Sequence, residues 1–217
     1  MRIYQHFSAV GFCNTYLIGK EDGSDAILID PGQVDNDLIT LIESHHFKLK
    51  TVLLTHRHVS HSKGVKTLLK IYNPNIFAFA SSVYDFPVIA LEDRMYNKMT
   101  LKELEFKFDC NGIEVEAIHL PGHCIDSVVW KMDHALFTGD TLLAGKIGST
   151  PGYMERSLLV NSINTKLMSL NDNFLVFPGH GAPTTILCEK LFNHDLMNEI
   201  ASPWMKKQIR IDRINRF

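Results

Sequence analysis

A run of apolar residues ends at Leu53-Leu54 and is followed by Thr55-His56-Arg57-His58-Val59-Ser60-His61, three imidazoles at spacings of two and three. On an extended segment residues i and i+2 point to the same side, so His56 and His58 can face one cation together. His61, where the next helix begins, can turn toward a neighbouring position. Neutral imidazole is a preferred ligand for zinc, iron and similar ions. Three other apolar runs end in the same manner: Leu120-Pro121-Gly122-His123, Leu136-Phe137-Thr138-Gly139-Asp140 and Val176-Phe177-Pro178-Gly179-His180-Gly181. Each supplies a strand, a glycine that lets the backbone turn sharply, and one side chain able to bind metal. Four such loops at one edge of the strands amount to a converging cation site. His6, His45, His46, His119, His134 and His194 lack that setting and read as surface or packing residues.

The elements that carry these loops follow from hydrophobic period and turn chemistry. Short β-branched or aromatic runs predict strands at 15–18, 26–30, 51–54, 76–80, 113–118, 127–132, 135–138 and 174–177. Asn111-Gly112 and Asp133-His134 sit at hairpin positions. Helical spacing predicts helices at 35–45, 62–72, 157–170 and 183–192, with Pro183 in a first turn. Hairpins mixed with strand–helix alternation indicate two sheets flanked by helices, an α+β architecture. Residues 81–100, poorly patterned but containing Phe86, Pro87, Met95, Tyr96 and Met99, are expected to cover a neighbouring cleft. Residues 1–200 are expected to form one domain. Residues 201–217, with Lys206, Lys207, Arg210, Arg213 and Arg216, are expected to form a basic amphipathic tail packed on the domain or on a second copy, as in a homodimer.

Composition narrows the partners. The 217 residues are 45% hydrophobic and carry 22 basic against 24 acidic side chains, net charge −2. That balance exerts no general pull toward nucleic acid or membrane, so a small-molecule substrate is the expected partner. No run approaches the ~18 apolar residues needed to span a bilayer. The four cysteines form no CxxC pair and no disulfide framework, and the N-terminus has no secretory pattern. A cytoplasmic location is expected.

Taken in order, Asp30-Pro31-Gly32, His56/His58/His61, His123, Asp140 and His180 resemble the five motifs of the metallo-β-lactamase superfamily. The run Pro178-Gly179-His180-Gly181-Ala182-Pro183-Thr184-Thr185 is similar to the final motif of small glyoxalase-II-like members. The resemblance spans most of the chain, from about residue 15 to 192, and implies a four-layer αββα sandwich. It further implies that His56, His58 and His123 bind a first metal, that Asp140 bridges two, and that His61 and His180 serve the second. Asp30 is implied to buttress the histidine loop from behind. Zinc is the implied cofactor, as one or two ions, with iron or manganese as alternatives.

One position departs from the pattern: Ser60 stands where the family has an aspartate that ligates the second metal. A hydroxyl is a much weaker ligand, so both one-ion and two-ion centres remain open. Cys124, directly after His123, stands where small hydrolases of this type often have threonine; a buried, inert thiol is the plainer reading of it. The expected reaction is hydrolysis of a thioester, lactone or phosphoester. The metal would bring the pKa of bound water toward ~7 and so supply hydroxide, with Asp140 positioning the ions and Ser60 or solvent handling protons. Two alternatives stand beside it. A mononuclear iron centre built from His56 or His58, His123 and Asp140 would suit sulfur-dioxygenase-like chemistry. A non-catalytic metal-binding scaffold would suit the loss at Ser60. A β-lactam substrate is not expected, nor is glutathione recognition through an additional C-terminal helical region, since little chain follows His180.

Overall fold

Alternation along the strands decides the layers. In β2 (Cys13–Gly19) and β3 (Asp25–Ile29), Tyr16, Ile18, Ile27 and Ile29 point one way while Leu17, Ala26 and Leu28 point the other. The structure, a computed structural model, describes residues 1–92, 105–110 and 112–200. Its first sheet has the order β1 (Arg2–Ser8), β2, β3, β4 (Lys48–Leu53), β5 (Asn75–Ala78), β6 (Ile89–Ala90). The β1–β2–β3 part is antiparallel and β3 to β6 run parallel. The second sheet begins with the antiparallel meander β7 (Glu105–Cys110), β8 (Ile113–His119), β9 (Val128–Met132) and β10 (Ala135–Gly139). Strand β13 (Leu175–Pro178) joins β10 in parallel, with β14 (Thr184–Thr185) on its far side. A small ribbon, β11 (Leu142–Leu143) with β12 (Lys146–Ile147), stands apart.

Three apolar layers result. Tyr16, Ile27, Leu53, Val115, Trp130 and Phe137 fill the space between the sheets. Leu17, Leu28 and Val52 pack outward on α1 (Asn36–Ser44) and α3 (Val65–Ile71) through Leu38, Ile42, Val65 and Leu68. Ile118, Val129, Leu136 and Val176 pack outward on α4 (Tyr153–Ser162), the π-helical turn Ile163–Leu167, α5 (Ile186–Phe192) and α6 (His194–Ile200). Helix, sheet, sheet, helix is the four-layer arrangement implied above. Each fully buried aliphatic or aromatic side chain in these layers contributes about 1.5–3 kcal/mol relative to exposure.

The sheets are stitched together at one edge. The Val128 amide donates to Thr55 O at 2.8 Å, and the Trp130 indole donates to Leu54 O at 3.1 Å. From the other side Asn14 Nδ2 donates to Pro178 O at 3.0 Å and Gly181 O at 2.8 Å, and Tyr16 Oη donates to Pro178 O at 2.7 Å. These bonds fix the loops that leave β4 and β13, which are the loops of the imidazoles.

Every predicted strand is present, and six further strands, β1, β6, β7, β11, β12 and β14, fall outside the predicted runs, β14 within the stretch expected to be helical from 183. The 62–72 helix is in fact two, because α2 (Val59–Ser62) ends before Gly64 and α3 starts after it. The helix predicted from 157 begins earlier, at Tyr153. Pro183 precedes β14, and α5 starts at Ile186, with the Thr185 hydroxyl accepting from the Cys188 amide. The 81–100 cover is described only as far as residue 92, and the 201–217 tail lies outside the described residues. No helix among the described residues is long and apolar enough to cross a membrane. All four cysteines are free thiols; Cys13, Cys110 and Cys124 are buried and Cys188 is exposed.

Candidate metal centre

Strands β3 and β4 run parallel, so their carboxyl ends lie side by side, and there the chain places Asp30 against the histidine loop. Asp30 takes a left-handed backbone, φ 51°. Its Oδ1 accepts from the Thr55 amide at 2.8 Å; its Oδ2 accepts from Thr55 Oγ1 at 2.6 Å and faces His61 Nδ1 at 2.9 Å. Asp30 thus stands behind the histidine loop, at the place the resemblance implied. Across the sheets, Gly139 ends β10 at φ 50°, with its Cα pressed on Thr55, where any side chain would collide. That close approach brings Asp140 up to the histidines. His123 is held from behind, its Nδ1 lying 2.6 Å from Ser149 O.

Three nitrogens converge. His56 Nε2 lies 2.9 Å from His58 Nδ1, and His123 Nε2 lies 3.1 Å from the same atom. The rings stand nearly perpendicular in pairs, at 81°, 85° and 82°. Two ligands about 2.05 Å from a tetrahedral zinc stand roughly 3.3 Å apart, close to this spacing. Asp140 Oδ2 lies 3.7 Å from His123 Nε2 and 3.6 Å from His61 Nε2. Cys124 Sγ is 3.5 Å from His58 Nε2, the ring nitrogen turned away from the other imidazoles. Two sets have ligand atoms that all lie within 4.8 Å of one another: His56, His58, His123 and Cys124, and His56, His61 and Asp140.

The residues fit a cation. His61 is 0% exposed and its Nε2 is buried without a hydrogen-bond partner, although its Nδ1 is engaged by Asp30. Such an orphan is costly unless something completes it. His180, the sixth expected ligand, reaches the centre only through Asp140: its Nδ1 is 2.7 Å from Asp140 Oδ1, and its Nε2 is 2.9 Å from Gly11 O. Ser60 is half-buried, and its Cβ packs against Gly11.

The charges are arranged for binding. Burial, reinforced by the neighbouring imidazoles, holds the pKa values of His56 and His58 below the ordinary histidine value, which keeps their lone pairs free at neutral pH. Burial alone would raise the Asp140 pKa, but the hydrogen bond with His180 and the nearby His61 ring overcome it and hold the carboxyl well below the usual range. His56 and His58 as neutral imidazoles beside an ionised Asp140 are ligand forms that a divalent ion requires, whereas the pKa values of His61 and His180, each facing a carboxylate, are shifted upward.

Several contributors escaped the sequence reading. The carbonyls of Gly11 and Ser149 orient His180 and His123, and Cys13 Sγ lies 3.4 Å from His61 Nδ1. A backbone oxygen leaves no mark in a sequence. His119, by contrast, is the packing residue expected, stacked on Phe79 at 3.7 Å with its Nε2 toward Ile125 O.

A two-sheet sandwich with metal-competent side chains on its strand-end loops defines a metallohydrolase class. Residues 9–180 match the Metallo-beta-lactamase superfamily, and the chain belongs to it. Among its relatives is the hydroxyacylglutathione hydrolase GloC of Haemophilus influenzae, 34% identical over 192 residues that cover 80% of this chain and 88% of that one. The chain is also similar to the solved BLEG-1 B3 metallo-beta-lactamase, with a TM-score of 0.76 and 25% identity over 90% of this chain and 99% of the other. A third likeness is to TTHA1623 in a di-iron-bound form, with a TM-score of 0.71 and 26% identity over 88% and 98% of the two chains.

Proposed function

We propose that the chain is a metal-dependent hydrolase of thioesters, with His56, His58, His123 and Asp140 holding the catalytic ion. One observation carries this reading: the meeting of His56 Nε2, His58 Nδ1 and His123 Nε2 within 2.9–3.1 Å contacts beside an ionised Asp140. When bound, the ion supplies Lewis acidity, polarising a carbonyl oxygen and lowering the pKa of water toward ~7.

The chain's own residues do the rest. Asp30 fixes the His61 ring through Nδ1, which leaves Nε2 directed at the Asp140 side of the centre. That leaves Nε2, which has no hydrogen-bond partner, to hold an ion or a water on the Asp140 side. Ser60, half-buried on the Gly11 side, is left with at most a minor part in proton transfer. The thioester assignment is favoured over lactones, phosphoesters and β-lactams by relatives named hydroxyacylglutathione hydrolase and atrochrysone carboxyl ACP thioesterase. Zinc is the favoured metal because imidazole-rich sets suit it, and the di-iron form of TTHA1623 makes iron the alternative.

The test is turnover by the zinc-loaded protein on a panel of hydroxyacyl and acyl thioesters, lactones, phosphoesters and a β-lactam. Thioester cleavage is expected to dominate. His123→Ala should lower kcat/KM at least 100-fold, together with loss of bound zinc measured by elemental analysis. Absence of cleavage across the panel by protein with a full metal load would refute the hydrolase reading.

A further inference from the structure

The metal centre meets solvent at two of its rings, and we propose that an apolar rim around that opening binds the alkyl chain of a long-chain acyl thioester. The inference rests on the thioester reading above and names a substrate class within it.

His56, His61 and His123 are buried, whereas His58 is exposed and His180 partly exposed, so a substrate reaches the centre past these two. Large apolar side chains stand beside both. Val59 follows His58 in the chain, and Ile125 follows Cys124, whose Sγ lies 3.5 Å from His58 Nε2. Phe12 follows Gly11, whose carbonyl lies 2.9 Å from His180 Nε2. Phe7 stands across the β1–β2 turn, its ring centroid 6.2 Å from that of Phe12. Tyr153 and Met154 open α4, shortly after the Ser149 carbonyl that holds His123. These six are the most exposed large apolar side chains among the described residues, at 57–79%. Single exposed apolar residues are ordinary, but here the most exposed ones all lie on segments that border one site.

Phe12 makes the point sharper. Its backbone is left-handed, φ 56°, which is costly for an aromatic residue, and its exposed ring returns little of that cost to the fold. Charge narrows the occupant. Residues 7–12, 122–125, 148–154 and 178–184 contain no Asp, Glu, Lys or Arg, and Arg57 is the only such residue between 55 and 62. The two carboxylates and the ammonium of a glutathione thioester would meet one cation there, and charges set against apolar surface without partners are costly. An alkyl chain asks for no partner and removes apolar surface from water on both sides of the contact.

The experiment uses the intact zinc-loaded protein and two series of probes. The first is acyl N-acetylcysteamine thioesters from acetyl to dodecanoyl, with lactoylglutathione beside them. Here kcat/KM should rise roughly 2-fold per methylene, with lactoylglutathione near the acetyl end. The second is alkyl hydroxamates of the same lengths, which bind an ion without being hydrolysed, titrated by calorimetry; their affinity should climb in parallel. Phe12→Asn suits the left-handed backbone, and Ile125→Ser alters an exposed side chain. Each should flatten both slopes at the zinc content of wild type, measured by elemental analysis. Flat series in wild type, or slopes unchanged in both variants, would overturn the proposal. Flat series together with a dimer that Phe12→Asn dissociates in sedimentation would overturn it in favour of a second copy on the rim. Hydroxamate affinity that climbs while no thioester is cleaved would sink the thioester reading and leave the apolar rim standing.

Discussion

The Asp30 carboxylate receives the Thr55 amide and the Thr55 hydroxyl and faces the His61 ring, so one buried side chain governs the loop that carries three imidazoles. Asn fits the left-handed backbone of position 30 as readily as Asp, which makes Asp30→Asn a test of charge and acceptor count rather than of shape. Its amide nitrogen cannot accept from Thr55 or hold His61 as the carboxylate does. Zinc affinity should drop about 10–100-fold, read by competition with a chromophoric chelator, while near-ultraviolet circular dichroism stays that of wild type. At this scale much of the site was legible, because ligands are side chains and His or Asp after a strand-end glycine has few other uses. The Gly11 and Ser149 oxygens were not legible, since any residue type carries the same carbonyl.

Asp35 caps α1, accepting from the Leu38 amide at 2.9 Å and meeting His6 Nε2 at 2.9 Å. Burial pushes its pKa up, but these two contacts prevail and hold it below the ordinary aspartate value. A carboxyl lowered in the folded state contributes stability at pH values above its unfolded pKa, and that stability fades as pH falls through the folded value. Asp35→Ala should therefore cost about 1 kcal/mol in urea denaturation at pH 7, with the difference from wild type shrinking toward pH 3. A constant difference across that range would contradict the cap's ionic part. Elements with a complete signal, such as β3 or α1, were readable. β1 was not, because Arg2, Gln5 and His6 interrupt its apolar residues and its partner β2 supplies most of the burial. β7 alternates Phe106 and Phe108 with charged residues, the mark of an edge strand with one face on the core, and those charges mask its strand signal. The π-helical turn at Ile163–Leu167 has no residue signature at all.

At the scale of the molecule, the candidate site draws on both halves: His56, His58 and His61 follow a strand of the first sheet, and His123, Asp140 and His180 follow strands of the second. An ion at the centre would tie together the edge that Trp130, Val128, Asn14 and Tyr16 already bind. A ligand present at 1,000 times its Kd stabilises the folded state by about 4 kcal/mol. For a domain of this size that corresponds to roughly 10 °C in Tm. Dialysis against a strong chelator should lower Tm by about that amount, and zinc added back should restore it. An unchanged Tm would mean that the centre contributes nothing to holding the sheets in register. The four-layer order was legible once the strand-end motifs were aligned, whereas the cross-sheet bonds depend on distances that no single segment encodes.

The unequal exposure of the thiols has a practical consequence. With Cys13, Cys110 and Cys124 shielded, a maleimide fluorophore added to the native protein goes to Cys188 on α5 and nowhere else. The unmutated chain thus has a single address for a dye on its outer helical layer, from which unfolding can be followed by light while the imidazoles stay untouched.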